Sequence, residues 1–284
     1  MEKLIDMHMH TNYSDGGYSP DELIRMAIEK NIGTMAITDH DTLRGIKSVD
    51  KSKYPEIKIF DGIELSAKVD HGQIHILGYG FDLENVNLNK KLSELQTNNI
   101  NSVITIYEQI KKDYGIRFNY EDLVNLFTAN HNLGRPDLAK LCVKYGFASV
   151  TQEAFDKYLN PANDKNRQYT KGIPYSECIE LIKNSGGIPV LAHPKSLKLD
   201  EEEFLKVLRN MIDCGLMGIE VYHSSHSKEE MGFYLKIANE YGLLVSGGSD
   251  YHGKGIKTDI ELGTGKNNNI KIKKLSLVDR LNQS

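Results

Sequence analysis

The histidines and acids of this chain recur in short clusters: His8-Met9-His10, Asp39-His40-Asp41, Asp61-Gly62-Ile63-Glu64, His75, His193-Pro194, Tyr222-His223 and Ser249-Asp250-Tyr251-His252. Imidazole and carboxylate groups brought together are ligands for divalent metals, with manganese, iron and zinc all accepted by such a mixture. Residues two apart on an extended strand share a face, so His8 and His10 present their rings together, and Asp250 and His252 repeat that geometry. A lone histidine such as His75, or a single H-x-H, is an ordinary core or surface feature. Six histidines and three acids nearly all at strand ends are not, and the set reads as a multinuclear metal site. Asp6, two residues before His8, and Asp39, next to His40, read as acceptors that orient ligands. Met7 and Met9 alternate with the rings as wall residues, whereas His71 and His131 fall outside the pattern. Cys142, Cys178 and Cys214 sit in helical stretches and read as small core residues.

Each cluster lies on or beside a short apolar run. The runs at residues 3–7, 34–38, 57–60, 73–79, 188–192, 218–222 and 243–247 read mostly as buried parallel strands. Amphipathic stretches separate several of them, the first with Ser19 as N-cap and Pro20 at the first helical position. Strand alternating with helix predicts an α/β fold, a barrel of seven strands whose carboxyl ends converge on one mouth. Residues 80–187 break the rhythm and are far too many for an ordinary βα connection. Helical spacing there (Leu88, Leu92, Leu95, then Ile104 and Ile110) and a further helix ended by Gly146 predict a mainly helical insertion over the strand ends. The expected organisation is barrel over 1–87, insertion over 88–170 and barrel again over 171–284.

Composition narrows the class. Of 284 residues, 39% are hydrophobic and 26% charged, which supplies a core and excludes a wholly disordered chain. Apolar runs are too short for a transmembrane helix, and the first residues turn polar too soon for a signal peptide. A net charge of −4 speaks against long nucleic acid but allows a short strand held in a cleft. Three scattered cysteines without a C-x-x-C spacing exclude a disulfide framework and suit a cytoplasmic location.

In order, His8-x-His10-Thr11 with Ser14-Asp15-Gly16, Thr38-Asp39-His40-Asp41, Gly62-Ile63-Glu64, Ile74 to Tyr79, Leu191-Ala192-His193-Pro194 and Gly248 to His252 resemble the PHP superfamily, the polymerase and histidinol-phosphatase phosphoesterases. Gly134-Arg135-Pro136 and the segment 218–223 resemble its subgroup with a helical insertion that acts on nucleoside phosphates. The resemblance implies a distorted seven-stranded βα barrel with two or three divalent ions. His8, His10, Glu64 and Asp250 would hold the first; Asp15, His40 and His252 the second; and Glu64, His75 and His193 the third, with Glu64 bridging.

The chemistry expected of such a centre is hydrolysis of a nucleotide phosphomonoester. The attacking group would be a metal-bridging hydroxide held by Glu64, Asp250 and the histidine ligands. No side-chain nucleophile is then needed, and Ser249 reads as structural. Arg135 is the leading candidate to bind phosphate, since guanidinium offers two parallel hydrogen bonds. Lys171, Lys195, His223 and His226 are further candidates. The expected partner is a small nucleotide, a 3′,5′-bisphosphate or a monophosphate, or a short oligoribonucleotide, with no membrane. The competing readings are 5′-to-3′ digestion of short RNA, histidinol phosphate hydrolysis, C–N hydrolysis at an amidohydrolase-like centre, and a non-catalytic metal-stabilised module. An amidohydrolase centre commonly bridges its metals with a carboxylated lysine, where this chain has Glu64. A non-catalytic copy predicts lost ligands, and none is lost.

Overall fold

The computed structural model describes residues 2–68, 74–128, 133–166 and 173–283. Chain contacts divide it into two compact units, Met1–Asn89 with Ile173–Ser284, and Lys90–Gly172. The first unit carries a nearly closed sheet. Its elements begin with β1 (Leu4–Asp6), α1 (Pro20–Glu29), β2 (Ile32–Ile37), α2 (Arg44–Lys47), β3 (Lys58–Lys68) and β4 (Ile74–Tyr79).

The helical part follows with α3 (Val86–Tyr114), which runs across the boundary between the units, then α4 (Tyr120–Thr128), α5 (Arg135–Lys144), α6 (Thr151–Ala154) and α7 (Asn160–Lys165). The sheet unit resumes with β5 (Ile173–Pro174), α8 (Tyr175–Asn184), β6 (Ile188–Leu191), α9 (Glu201–Asp213), β7 (Gly218–His223), α10 (Lys228–Tyr241) and β8 (Leu244–Gly248). A small hairpin, β9 (Ile260–Glu261) with β10 (Gly265–Lys266), and α11 (Ser276–Leu281) complete it.

The strand order is β1-β2-β3-β4-β6-β7-β8, with β5 attached to β3. The two ends of this path meet: Met7 N–H donates to Gly247 O at 3.1 Å, and His10 N–H donates to Tyr251 O at 2.9 Å. The seven strands expected from the sequence are those of the main path, with one correction: β4 runs antiparallel to both β3 and β6. The reason lies in chain length. β3 extends through Lys68, leaving only residues 69–73 before β4, and a parallel crossover needs a dozen or more. Reversal of β4 puts its amino end, not its carboxyl end, beside the carboxyl ends of its parallel neighbours, and His75 sits at that end opposite Ser66.

The helix start predicted at Ser19 and Pro20 is present, and the structure adds a second cap of the same kind. Ser19 and Glu22 form a capping box at α1, with Pro20 as its first residue, and Ser227 with Glu230 does the same at α10, which Gly242 ends. Met7 and Met9 are fully buried, as wall residues should be. Cys142 and Cys178 are buried, and Cys214 is partly so. In the helical unit, Val103, Ile106, Ile110, Leu138, Cys142 and Leu159 belong to a separate core. Ile104 is a correction, being 41% exposed, because the buried stripe of α3 there runs through Val103, Ile106, Tyr107 and Ile110. No helix among the described residues is long and apolar enough to cross a membrane.

Candidate metal centre

Glu64 is the hub of the site. Its Oε2 lies 3.2 Å from His8 Nε2, 3.2 Å from His10 Nε2 and 3.3 Å from His40 Nδ1. Its Oε1 lies 2.8 Å from His75 Nδ1 and 2.9 Å from His193 Nε2. Two more acids extend the cluster: Asp250 Oδ1 stands 3.2 Å from His10 Nε2, and Asp15 Oδ2 stands 3.3 Å from His252 Nε2 and 3.9 Å from His40 Nε2. All nine side chains named from the sequence therefore belong to one contact network. Sets such as His8, His10, Glu64 and His10, Asp15, His40, His252 offer ligand atoms within 4.8 Å of one another.

Local backbone explains the convergence. Asp41, His193 and Asp250, each just past a strand, adopt positive φ of 50°, 22° and 56°. Non-glycine residues pay roughly 1–3 kcal/mol for such backbones, which persist where surrounding structure imposes them, commonly at active sites. β8 must also run very close to the His8 backbone: a Cβ on Gly248 would lie 2.3 Å from His8 N. Asp6 and Asp39 do not touch the rings at which they were expected to act. Asp6 accepts from Ser249 N–H and Oγ–H at 2.8 and 2.6 Å, and Asp39 accepts from Thr11 N–H and Ser14 Oγ–H, each at 2.7 Å. They brace the loops that carry Asp250 and Asp15. The same bond shows Ser249 engaged structurally.

The electrostatics suit metal ligation. Burial works against a proton on His10, but the facing Asp250 and Glu64 carboxylates raise its pKa to about 9, and Glu220 with Glu64 holds that of His8 well above the usual value. Burial takes His40 down to about 3, so it stands neutral with a lone pair to offer. Burial also opposes charge on Glu64, Asp15 and Asp250. The groups packed against them still hold all three carboxyls well below the usual range: histidine rings around Glu64 and Asp15, and first of all the Lys257 ammonium beside Asp250. Both ring nitrogens of His10 are buried without a well-formed hydrogen bond, which is what a metal ligand looks like when its partner is a cation. The donor set and this orphaned ring fit divalent ions.

The sequence reading missed Glu220. This fully buried acid accepts from His8 Nδ1 at 2.9 Å with one oxygen and from His193 N–H at 2.7 Å with the other. It thereby fixes His8 so that Nε2 faces Glu64. An acid inside the apolar run GIEVY was the available signal. Glu220→Gln is expected to weaken metal binding about 10–100-fold, the usual range for such a supporting contact, with the fold retained by circular dichroism. Unchanged affinity by metal titration would refute that role.

The proposed substrate contacts divide. His223 Nε2 reaches the cluster, 3.4 Å from Asp250 Oδ2. His226 packs beside His223 and Tyr234 and donates from Nδ1 to Val221 O. Lys195 is engaged by Glu230 at 2.9 Å and Ser225 O at 3.1 Å. Arg135, in the helical unit, opens α5 with its guanidinium over the Phe155 ring and Nη1 3.5 Å from Asn160 Oδ1. Lys171, His71 and His131 lie outside the described residues.

Comparison with known proteins agrees with this architecture. A protein of Haemophilus influenzae named a 5′-3′ exoribonuclease is 28% identical over 89% of this chain and 91% of its own length. A Chromobacterium violaceum protein named a 3′,5′-nucleoside bisphosphate phosphatase is 25% identical over 88% of each chain. A solved Bifidobacterium adolescentis structure, named for metal-dependent phosphoesterase activity, superposes with a TM-score of 0.77 at 28% identity, covering 93% of this chain and 92% of that one. The model of the PHP domain matches residues 6–214, well over half of the sequence, and the chain belongs to the PHP domain family.

Proposed function

We propose that this protein is a metal-dependent phosphoric ester hydrolase that removes phosphate from a nucleotide, a nucleoside 3′,5′-bisphosphate or a monophosphate. The observation that carries the proposal is Glu64 contacting five histidines through its two oxygens, flanked by Asp15 and Asp250. His8, His10, Glu64 and Asp250 would hold one ion, Asp15, His40 and His252 a second, and Glu64, His75 and His193 a third. The mixed imidazole and carboxylate donor set accepts manganese, iron and zinc alike. When bound, they supply a water of lowered pKa and neutralise charge developing on phosphorus. The protein's own residues set the positions: Glu220 and Ser196 hold the rings of His8 and His193, and the Asp250 carbonyl accepts from His252 Nδ1, leaving Nε2 as the ligand atom.

The nucleotide substrate is drawn from the bisphosphate phosphatase relative, similar over most of both chains. The exoribonuclease relative favours a second reading, trimming of short RNA from its 5′ end by the same centre. The test is phosphate release from adenosine 3′,5′-bisphosphate by manganese-loaded protein, with His8→Ala as control. Release by wild type alone is expected. Release by both proteins would overturn the site; release by neither, but nucleotide release from 5′-phosphorylated oligoribonucleotides by wild type, would replace the first reading with the second.

A further inference from the structure

Asp250 shows its two carboxylate oxygens to different partners. Oδ1 faces His10 Nε2 at 3.2 Å and His8 Nε2 at 3.5 Å, inside the ligand cluster. Oδ2 faces the other way, accepting from Lys257 Nζ at 2.6 Å and standing 3.4 Å from His223 Nε2. Lys257 follows β8 in the segment that leads to β9, close after Gly253 and Gly255. Among the described residues, no other lysine or arginine ion-pairs with Glu64, Asp15, Asp250 or Glu220. Its side chain is 40% exposed, whereas those of His8, His10 and Glu64 are buried. A half-solvated cation thus stands at the edge of a buried anionic cluster.

A pair of this kind is worth little as a stabilising contact, about 0–1 kcal/mol when exposed. Its placement has more to offer binding. Ligand-bound Asp250 would share its charge through Oδ1, leaving Oδ2 a weaker partner for the ammonium. A phosphate dianion arriving beside it would be a stronger one. Lysine suits this exchange, being a point charge on a flexible four-carbon stem, not a rigid fork.

We propose that Lys257 is a substrate-binding residue, whose ammonium leaves Asp250 Oδ2 to take a phosphate oxygen of the substrate, an inference that rests on the phosphoesterase reading above. The test compares wild type, Lys257→Gln and Lys257→Arg, each loaded with manganese. It measures metal content, affinity for inorganic phosphate by calorimetry, and kinetics on adenosine 3′,5′-bisphosphate. Lys257→Gln is expected to keep its metal and to lose about 10–100-fold in phosphate affinity, the worth of one hydrogen bond to a charged group. KM should rise with kcat changed less, and Lys257→Arg should recover part of the phosphate affinity. Unchanged phosphate affinity in Lys257→Gln would overturn the proposal. So would loss of metal in that variant, which would make Lys257 a positioning residue for Asp250. If wild type binds phosphate yet releases none from the nucleotide, the substrate reading fails, and the phosphate affinities still decide the role of Lys257.

Discussion

Glu64→Gln is expected to lower kcat/KM by about 10³-fold or more and to remove at least one bound ion, with the substituted protein still folded. The magnitude follows from the position of this carboxylate. Its two oxygens contact the rings of His8, His10, His40, His75 and His193 at 2.8–3.3 Å, so no other acid in the cluster touches as many ligands. A metal centre contributes several kcal/mol of charge stabilisation, and about 4 kcal/mol corresponds to 10³ in rate. Glutamine keeps the volume but brings an amide in place of one carboxylate oxygen. The backbone role of residue 64 is untouched, since its N–H donates to Asp39 O and its carbonyl accepts from Asp41 N–H. Metal analysis, circular dichroism and turnover on one sample separate these effects. Full metal content with near wild-type turnover would show that Glu64 is no bridge.

Metal loading is expected to raise the melting temperature by about 10 °C, with a larger increment at pH 8.5 than at pH 6.5. An ion at a thousand times its Kd stabilises by about 4 kcal/mol, and each kcal/mol moves a chain of this size by about 2–4 °C. The pH dependence comes from the metal-free protein. The His10 pKa rises to about 9 in the fold, so the stability its proton contributes is fully present below its ordinary value near 6.5 and fades as pH climbs through 9. His8 is raised as well and acts in the same direction. Glu64, Asp15 and Asp250 are held low, so their contribution is present above the ordinary carboxylate range and fails only in acid. The metal-free protein should therefore melt progressively earlier between pH 6.5 and 9. Ligation replaces the protons on His8 and His10, so loading at pH 7 should also release about two protons per chain, measurable by calorimetry in buffers of different ionisation heat. A melting increment that shrinks over that pH range, or loading without proton release, would contradict this account.

Much of this molecule is local. The short apolar runs, the Ser19 cap and the two-residue spacing of His8 with His10 are properties of neighbouring residues, so most strands and helices and the clustering of histidines and acids were legible before any fold was considered, while the ion-by-ion ligand set came from the family resemblance. Residues 80–187 announced themselves by length alone, and Ile104 was misjudged because two apolar stripes compete on α3.

What the tertiary structure decided involves residues far apart in the chain. Reversal of β4 depends on how far β3 runs, a matter of pairing with β2 and β4 and not of apolar periodicity. Glu220 lies 212 residues from His8, and only the register of β6, β7 and β8 brings it beneath that ring. Lys257 left no pattern at all, since a lysine in a turn looks like any solvated charge until its ammonium is seen on Asp250. The sequence by itself determined which chemistry the chain carries and on which strands, because side-chain type and strand period are local. The division of labour among those residues, with Glu64 at the hub, Glu220 behind and Lys257 at the edge, was set by the nearly closed sheet, whose long-range contacts no sequence period encodes.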